Sequence, residues 1–411
     1  MANTLDAVFA RTARRSPGAV AVKDGPYELL YGRAEMRAGQ LASALIGIGV
    51  QLGDPVLVHC SDHRRATVAQ LAVLKVGGVC VPVPSHTSRD EFQRLARLVG
   101  ARLVLCGSSA VAEWVERGRV IVLDEETWQR IGAMRVDRSL PRSGPLEGAH
   151  LFGAGEDSTD HDAQLIDHRA WSIALSARRR GSGSRRMTVV AHEPPMGARS
   201  LSALWWAFAT GGTFHTGFRH EEMPGPLTLR ADAAVFSPRE YARFLDRVVS
   251  AGPGRVPRVI VLMGDPCPPR LAERHFDLLP AARLWCEFTP MGGVLPWTTR
   301  RVVHDAGAPD IDPHSTPWLN AGRPALGVRV RILSPDGLLV PRGGTGEVCA
   351  AGDALPCGII RAIAHRPGTV DGSALRRSGR YGRVREDGTV EITSAHGPTR
   401  RAVRGARYAR L

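Results

Sequence analysis

Lysine is almost missing from this chain of 411 residues: of 54 Lys and Arg side chains, only Lys23 and Lys75 are lysine. Neither stands in a catalytic motif, so chemistry built on a lysine amine is not expected. The 7 cysteines are scattered over positions 60, 80, 106, 267, 286, 349 and 357, with no CxxC pair. That spacing argues against a disulfide framework and against a zinc site, and buried free thiols are expected. No apolar run approaches the ~20 residues that cross a bilayer. The opening residues MANTLDAVFARTARRSPGA hold no apolar core of the signal-peptide kind. A cytoplasmic protein with no membrane partner is expected. No GxSxG nucleophile elbow occurs either.

What is abundant is arginine, which brings the net charge to +14. The near-replacement of lysine by arginine fits codon bias in a GC-rich genome better than a nucleic-acid signature. The arginines are dispersed except at 176–186 and beyond 375, and no recognition motif accompanies them. Nucleic acid is therefore not expected as a partner, whereas an acidic protein surface is. The stretch RGSGS (180–184) is expected to be a flexible loop.

Strand and helix signals alternate along the first hundred residues. An amphipathic helix is expected over 4–16, and two short strands around Asp24-Gly25-Pro26 at 20–23 and 28–31. A second helix covers 33–48, with Met36, Leu41, Leu45 and Ile48 at helical spacing and Gly49 as its stop. Strands are expected at 55–60, 79–83 and 101–106. Helices lie between them at 64–76 and 91–98, the latter capped by Ser88 or Asp90. Such alternation predicts parallel sheet with crossover helices.

Several of these words resemble the adenylate-forming superfamily, most closely the adenylation domains of nonribosomal peptide synthetases. They are SPGAVAVKDG (16–25), LLYGRAE (29–35), GVQLGDPVLV (49–58) and AVLKVGGVCVPVP (72–84). The likeness continues through VIVLMGDPC (259–267), LPAARLWCE (279–287), NAGRPALGVRVRIL (320–333), GTGEVCAAGD (344–353) and RSGRYGRVREDGTVEI (377–392). The resemblance implies an α/β fold, the N-terminal core of an adenylate-forming enzyme. Two α/β subdomains with helix-flanked sheets would fill 1–319, and a β-rich subdomain 320–411 would end near the family's hinge. The family's C-terminal lid, which carries its catalytic lysine, is expected to be absent.

The same alignment implies that the family's chemistry has been lost. Its Ser/Thr/Gly phosphate loop falls on Ala154, Gly155, Glu156, Asp157, Ser158 and Thr159, and the loop lysine on Asp162. A phosphate cradle needs N–H groups, hydroxyls and a cation. Here Glu156, Asp157, Asp160 and Asp162 would each oppose a triphosphate by about 4 kcal/mol at ~4 Å before screening. An acidic metal cluster of Asp157, Asp160, His161, Asp162 and His168 is the alternative, but a solvated surface loop is expected and no metal. The following LIDHRAW (165–171) reads as the exit from this loop into a helix.

In the "NxYGPTE" motif, Cys286 replaces Asn, Phe288 replaces Tyr and Gly292 replaces the Mg²⁺-binding Glu. Phe288 retains a ring able to stack on a base. The "TGD" carboxylate for the ribose becomes Arg380, which either grasps an anion or pairs with Asp387. The Asp that holds the substrate ammonium becomes Ala198, beside Arg199. The acyl pocket would be lined by Ala198, Arg199, Ser202, Phe288 and Thr289. Trp205 and Trp206 are expected in a helix core.

No cofactor is expected. The reading is a pseudoenzyme of nonribosomal-peptide-type metabolism that binds a carrier protein or a partner enzyme. The alternatives are an ATP-independent acyl or aminoacyl transfer or condensation, with Cys286, His192 and Glu287 as catalytic candidates, and a residual adenylate-forming ligase.

Overall fold

The computed structural model describes residues 4–115, 118–137, 140, 143–153, 162–183, 186–216, 231–251, 256–304, 318–363, 366–371 and 375–393. Among these, the expected elements of the first hundred residues are present, with ends shifted by one to three positions. The helix Tyr31–Gly47 stops at Ile48, and Gly49 takes φ 91°, the left-handed conformation glycine tolerates best. Ser88 caps Arg89–Val99 by accepting from the Glu91 N–H at 3.3 Å. One position differs: Met36, expected on the buried face, is 48% exposed. The buried stripe is instead Tyr31, Ala34, Ala38, Leu41 and Leu45, rich in small residues that let this helix pack closely on His63–Lys75.

Among the described residues two sheets form, of 13 and 8 strands. In the larger sheet a parallel block runs Val20–Asp24, Thr213–Thr216, Thr188–Ala191, Ala233–Phe236, Val259–Gly264 and Arg283–Phe288. In the smaller one Gly148–Gly153, Val79–Pro82, Pro55–His59, Leu103–Cys106 and Arg119–Val122 are parallel neighbours.

Strand parity sorts side chains into separate cores. Val189, Val259 and Val261 of the larger sheet and Val56, Val58 and Leu105 of the smaller sheet share one core. Helices Leu5–Arg15, Tyr31–Gly47, His63–Lys75, His168–Ser182 and Ala198–Thr210 contribute to that core, so they lie between the sheets. Val190, Ile260 and Leu262 point the other way, under Pro238–Ala251 and Pro269–Leu278. Leu57, Val81 and Val104 do so in the smaller sheet, under Arg89–Val99. The result is five layers, helix–sheet–helix–sheet–helix. Trp205 and Trp206 lie in the middle layer with no exposed surface.

The chain after 318 divides between the sheets. Trp318–Pro324, Arg329–Leu333, Gly346–Ala351, Arg376–Val384 and Val390–Thr393 extend the larger one. Gly358–Ile363 instead joins the smaller one, against Ala163–Asp167. The expected step at 319/320 thus falls inside a strand. Neither lysine is idle: Lys75 pairs with Glu35 at 2.6 Å and Lys23 with Glu28 at 3.6 Å. Six cysteines are buried free thiols and Cys357 is exposed. No helix among the described residues is long and apolar enough to cross a membrane.

Candidate functional site

Residues 154–162 connect Gly148–Gly153 to Ala163–Asp167, two antiparallel strands of one hairpin. Ala154, Gly155, Glu156, Asp157, Ser158 and Thr159 lie outside the described residues, as do Asp160 and His161; Asp162 stands immediately before the second strand. LIDHRAW is therefore half strand and half helix. Asp167 ends the strand and caps His168–Ser182, accepting from the Ala170 N–H at 2.6 Å. That helix runs on through Gly181 and Ser182, and Gly183 closes it at φ 66°. The flexible loop expected at 180–184 is thus largely helical, because the packing of Leu175 and Trp171 outweighs weak local propensity.

Three distant segments meet at the loop end of the hairpin. Gln164 donates to the Met291 carbonyl at 3.4 Å, which ties the hairpin to the turn Pro290–Gly292. Met291 and Gly292 both adopt left-handed backbone, at φ 59° and 64°. The strand Arg376–Val384 packs on this turn. From it Arg380 reaches Asp265, just past Val259–Gly264, at 2.5 Å. The partner is Asp265 and not Asp387, because Asp387 accepts from the Thr389 N–H and hydroxyl within its own turn.

A second cluster of charges surrounds the helix that begins at Ala198. Ala198 opens the helix Ala198–Thr210, whose first N–H groups are held by Glu193: Arg199 N at 2.7 Å and Ser200 N at 3.0 Å. The Arg199 guanidinium bridges Glu193 at 2.8 Å and Glu240 at 3.2 Å. Burial pushes the Glu193 carboxyl above its usual range, and Arg199 opposes that shift. Deeper in, Arg178 donates to the Ser202 hydroxyl at 2.8 Å and forms a two-pronged pair with Glu287, one prong 3.0 Å long. It also stacks 5.0 Å over the Trp206 ring. Arg178 and Glu287 are 9% and 8% exposed. They line a cavity of about 90 Å³ whose other walls include Ala174, Ala177, Val261 and Trp285.

Sequence adjacency does not keep the three catalytic candidates together. Glu287 faces this cavity. Cys286, next to it on Arg283–Phe288, points to the opposite face of the sheet and packs with Ile260, Leu262 and Tyr241. Contact with the Cys267 thiol, together with burial, drives its own thiol far above the usual range. Alternate residues of a strand face opposite ways, so Cys286 does not share the cavity with Glu287. His192 follows Thr188–Ala191 and is half-buried. Phe288 is 1% exposed and packs edge-to-face on Trp297, 6.5 Å away, so its ring is already used. Thr289 is buried and donates its N–H to the Gly264 carbonyl at 3.0 Å. No cluster of three metal-ligating side chains occurs among the described residues.

Comparison with known proteins places this arrangement. The AMP-binding enzyme family matches residues 9–156. Phosphinothricin tripeptide synthetase PhsB of Streptomyces viridochromogenes is 28% identical over 95% of this chain, which spans 33% of that protein. The chain is an adenylation-domain homologue. Solved structures bear out the fold. VinN superposes with a TM-score of 0.78 at 17% identity, over 95% of this chain and 98% of VinN. The N-terminal subdomain of Klebsiella oxytoca NpsA, in complex with 3-hydroxyanthranilyl-AMSN, gives 0.74 at 17% identity over 95% and 99%. The expected α/β core of an adenylate-forming enzyme is thus the observed fold.

In this adenylation-domain homologue Arg199, Arg380 and Glu287 each hold an internal ion pair. The sequence pointed to Arg199, Arg380 and Glu287 but not to their partners. Arg178 was hidden inside an arginine run, Asp265 looked like an ordinary turn residue, and Glu193 carried no motif. Only the fold brings each to its mate.

Proposed function

We propose that this chain is an adenylation-like protein that does not activate amino acids with ATP, and that it serves nonribosomal-peptide-type metabolism by binding a carrier domain or a partner enzyme. One observation carries the first half. The side chain at the ribose-carboxylate position is a guanidinium already satisfied by Asp265 at 2.5 Å. A cation cannot accept hydrogen bonds from a diol. Two further observations support it. Arg199, beside Ala198, is taken up by both Glu193 and Glu240, so neither carboxylate is free for a substrate ammonium. Gly292 stands where a metal-binding carboxylate would be, on backbone that favours glycine. Magnesium takes oxygen ligands, and none is supplied at this position by a side chain.

The second half draws on the relatives. PhsB is described as a tripeptide synthetase, and this chain spans a third of its length. A net charge of +14 suits an acidic partner surface. Calorimetric titration with Mg·ATP, run beside ATP–pyrophosphate exchange with the proteinogenic amino acids, tests the first half. No heat of binding and no exchange are expected. Micromolar ATP binding, or exchange above the enzyme-free rate, overturns it.

A further inference from the structure

We propose that the edge of the larger sheet at which its parallel strands begin is a docking face for a partner protein with an acidic surface. This rests on the partner half of the reading above and names the face and the partner's chemistry. Topology places the face. Val20–Asp24, Thr213–Thr216, Thr188–Ala191, Ala233–Phe236, Val259–Gly264 and Arg283–Phe288 run parallel, so all six start on one edge. His192, Asp265 and Thr289 follow the far ends of their strands, so they lie at the opposite edge. The helices Leu5–Arg15 and His168–Ser182 lead into strands that start at Val20 and Thr188, so both helices end at the proposed face.

Arginine gathers there. Arg14 and Arg15 fill the last turn of the first helix, Arg179 and Arg180 that of the second. Arg186 and Arg258 stand just before the strands Thr188–Ala191 and Val259–Gly264, and Arg283 opens its own strand. Direct contacts hold these pieces side by side. Arg186 donates to the Ser16 hydroxyl at 2.7 Å, and Arg283 to the Ser182 carbonyl at 3.0 Å. The Arg283 N–H donates to the Arg258 carbonyl at 2.9 Å. Six strands spaced by ~4.8 Å span ~24 Å. That is close to the side of an ~800 Å² patch, one partner's share of a standard protein interface.

The charge is not spent inside the molecule. Arg14, Arg15, Arg179, Arg180 and Arg258 are exposed and form no ion pair among the described residues. Of the carboxylates nearby, Asp232 accepts the Thr188 N–H at 2.8 Å, and Asp277 is exposed near the end of Pro269–Leu278. Like charges crowded on one face repel each other, and an acidic surface relieves that repulsion. Helix ends account for part of the cluster, since a last turn favours cations. They do not account for Arg186, Arg258 and Arg283, which belong to no helix. Codon bias selects arginine over lysine and says nothing of where arginines gather. No aromatic side chain is interleaved with these residues to stack on bases, which favours a protein over a nucleic acid.

The test uses the full chain and a fluorescein-labelled helical peptide with glutamates along one face, read by anisotropy at ~0.1 M salt, where charges within ~10 Å still act. The peptide is expected to bind. The fourfold variant Arg14→Gln, Arg15→Gln, Arg179→Gln, Arg180→Gln is expected to weaken it about tenfold, the sum of four exposed ion pairs. A control variant with Arg89→Gln, Arg135→Gln, Arg239→Gln and Arg329→Gln, equally exposed but elsewhere, is expected to leave binding unchanged. Duplex DNA is expected to bind more weakly than the peptide. A control variant that loses as much overturns the face and leaves the partner reading standing. Absence of peptide binding overturns the proposal, and so does a tighter DNA complex that the fourfold variant abolishes. Should the fourfold variant not fold, hydrogen exchange of the wild-type chain decides: peptide-induced protection around Ser16 and Gly183 supports the face, and protection only elsewhere overturns it. ATP binding in the separate titration would overturn the nucleotide reading and leave this face standing.

Discussion

Arg178 is the residue on which the cavity wall turns. It is tied to Glu287, Ser202 and the Trp206 ring at once, and both members of the ion pair are nearly buried. Breaking such a pair leaves a charge without a partner in a low-dielectric place, at a cost of about 3–5 kcal/mol. Glu287→Ala is therefore expected to lower the unfolding free energy by that amount. Replacing both charges, Arg178→Met with Glu287→Leu, is expected to regain most of the loss, since an apolar pair of similar volume needs no compensation. A double-mutant cycle by urea denaturation checks both. Equal losses for single and double variants would show that shape and not charge governs the site. Arg380 and Asp265 are different: with 30% and 59% of their side chains exposed, their pair is worth at most ~1 kcal/mol.

Among the elements, the turn Pro290–Gly292 shows how backbone conformation selects glycine. Two consecutive left-handed residues carry the chain from Arg283–Phe288 toward Thr298–Val302. A non-glycine residue in that conformation costs about 1–2 kcal/mol, and Met291 already bears one such cost. Gly292→Glu, which restores the family's carboxylate on paper, is expected to lower stability by a similar amount and to confer no Mg·ATP binding. Chemical denaturation and calorimetry read the two outcomes. Tight magnesium-dependent ATP binding by this variant would show that the missing carboxylate alone silenced the site.

At the scale of the whole molecule, the middle layer joins both sheets, and three buried histidines sit in it. Burial lowers His63 to about 4, His150 to about 3 and His168 to about 4. His168 must keep Nδ1 unprotonated, because that atom accepts the Leu5 N–H at 3.1 Å and anchors the first helix. Between pH 6.5 and these values the unfolded chain binds protons that the folded chain refuses, so stability rises with pH there. The melting temperature is expected to be level above pH ~6.5 and to fall below it. Each of the three contributes up to ~1.4 kcal/mol per pH unit. The fall is softened by Asp24, Asp167 and Glu193, whose carboxyls burial raises and whose contribution has the opposite sign. Calorimetry from pH 8 to 4.5 checks this, and a melting temperature that does not drop below pH 6 contradicts it.

Local sequence alone determined the alternation of strand and helix, the caps at Ser88 and Gly49, and the family words, because periodicity and turn chemistry act over a few residues. Through the family resemblance it also implied that Gly292, Arg380 and Ala198 stand where ligand-binding charges are expected. It did not determine that LIDHRAW is half strand, that Met36 faces water, or that Cys286 and Glu287 part company across a sheet. Those depend on pairing register and on which face of each element the other layers cover. The tertiary structure alone decided the mates of the new charges, Asp265 for Arg380, Glu193 and Glu240 for Arg199, and Arg178 for Glu287. Each pair joins residues 6 to 115 positions apart, and only packing of the layers brings their charges close enough to neutralise one another.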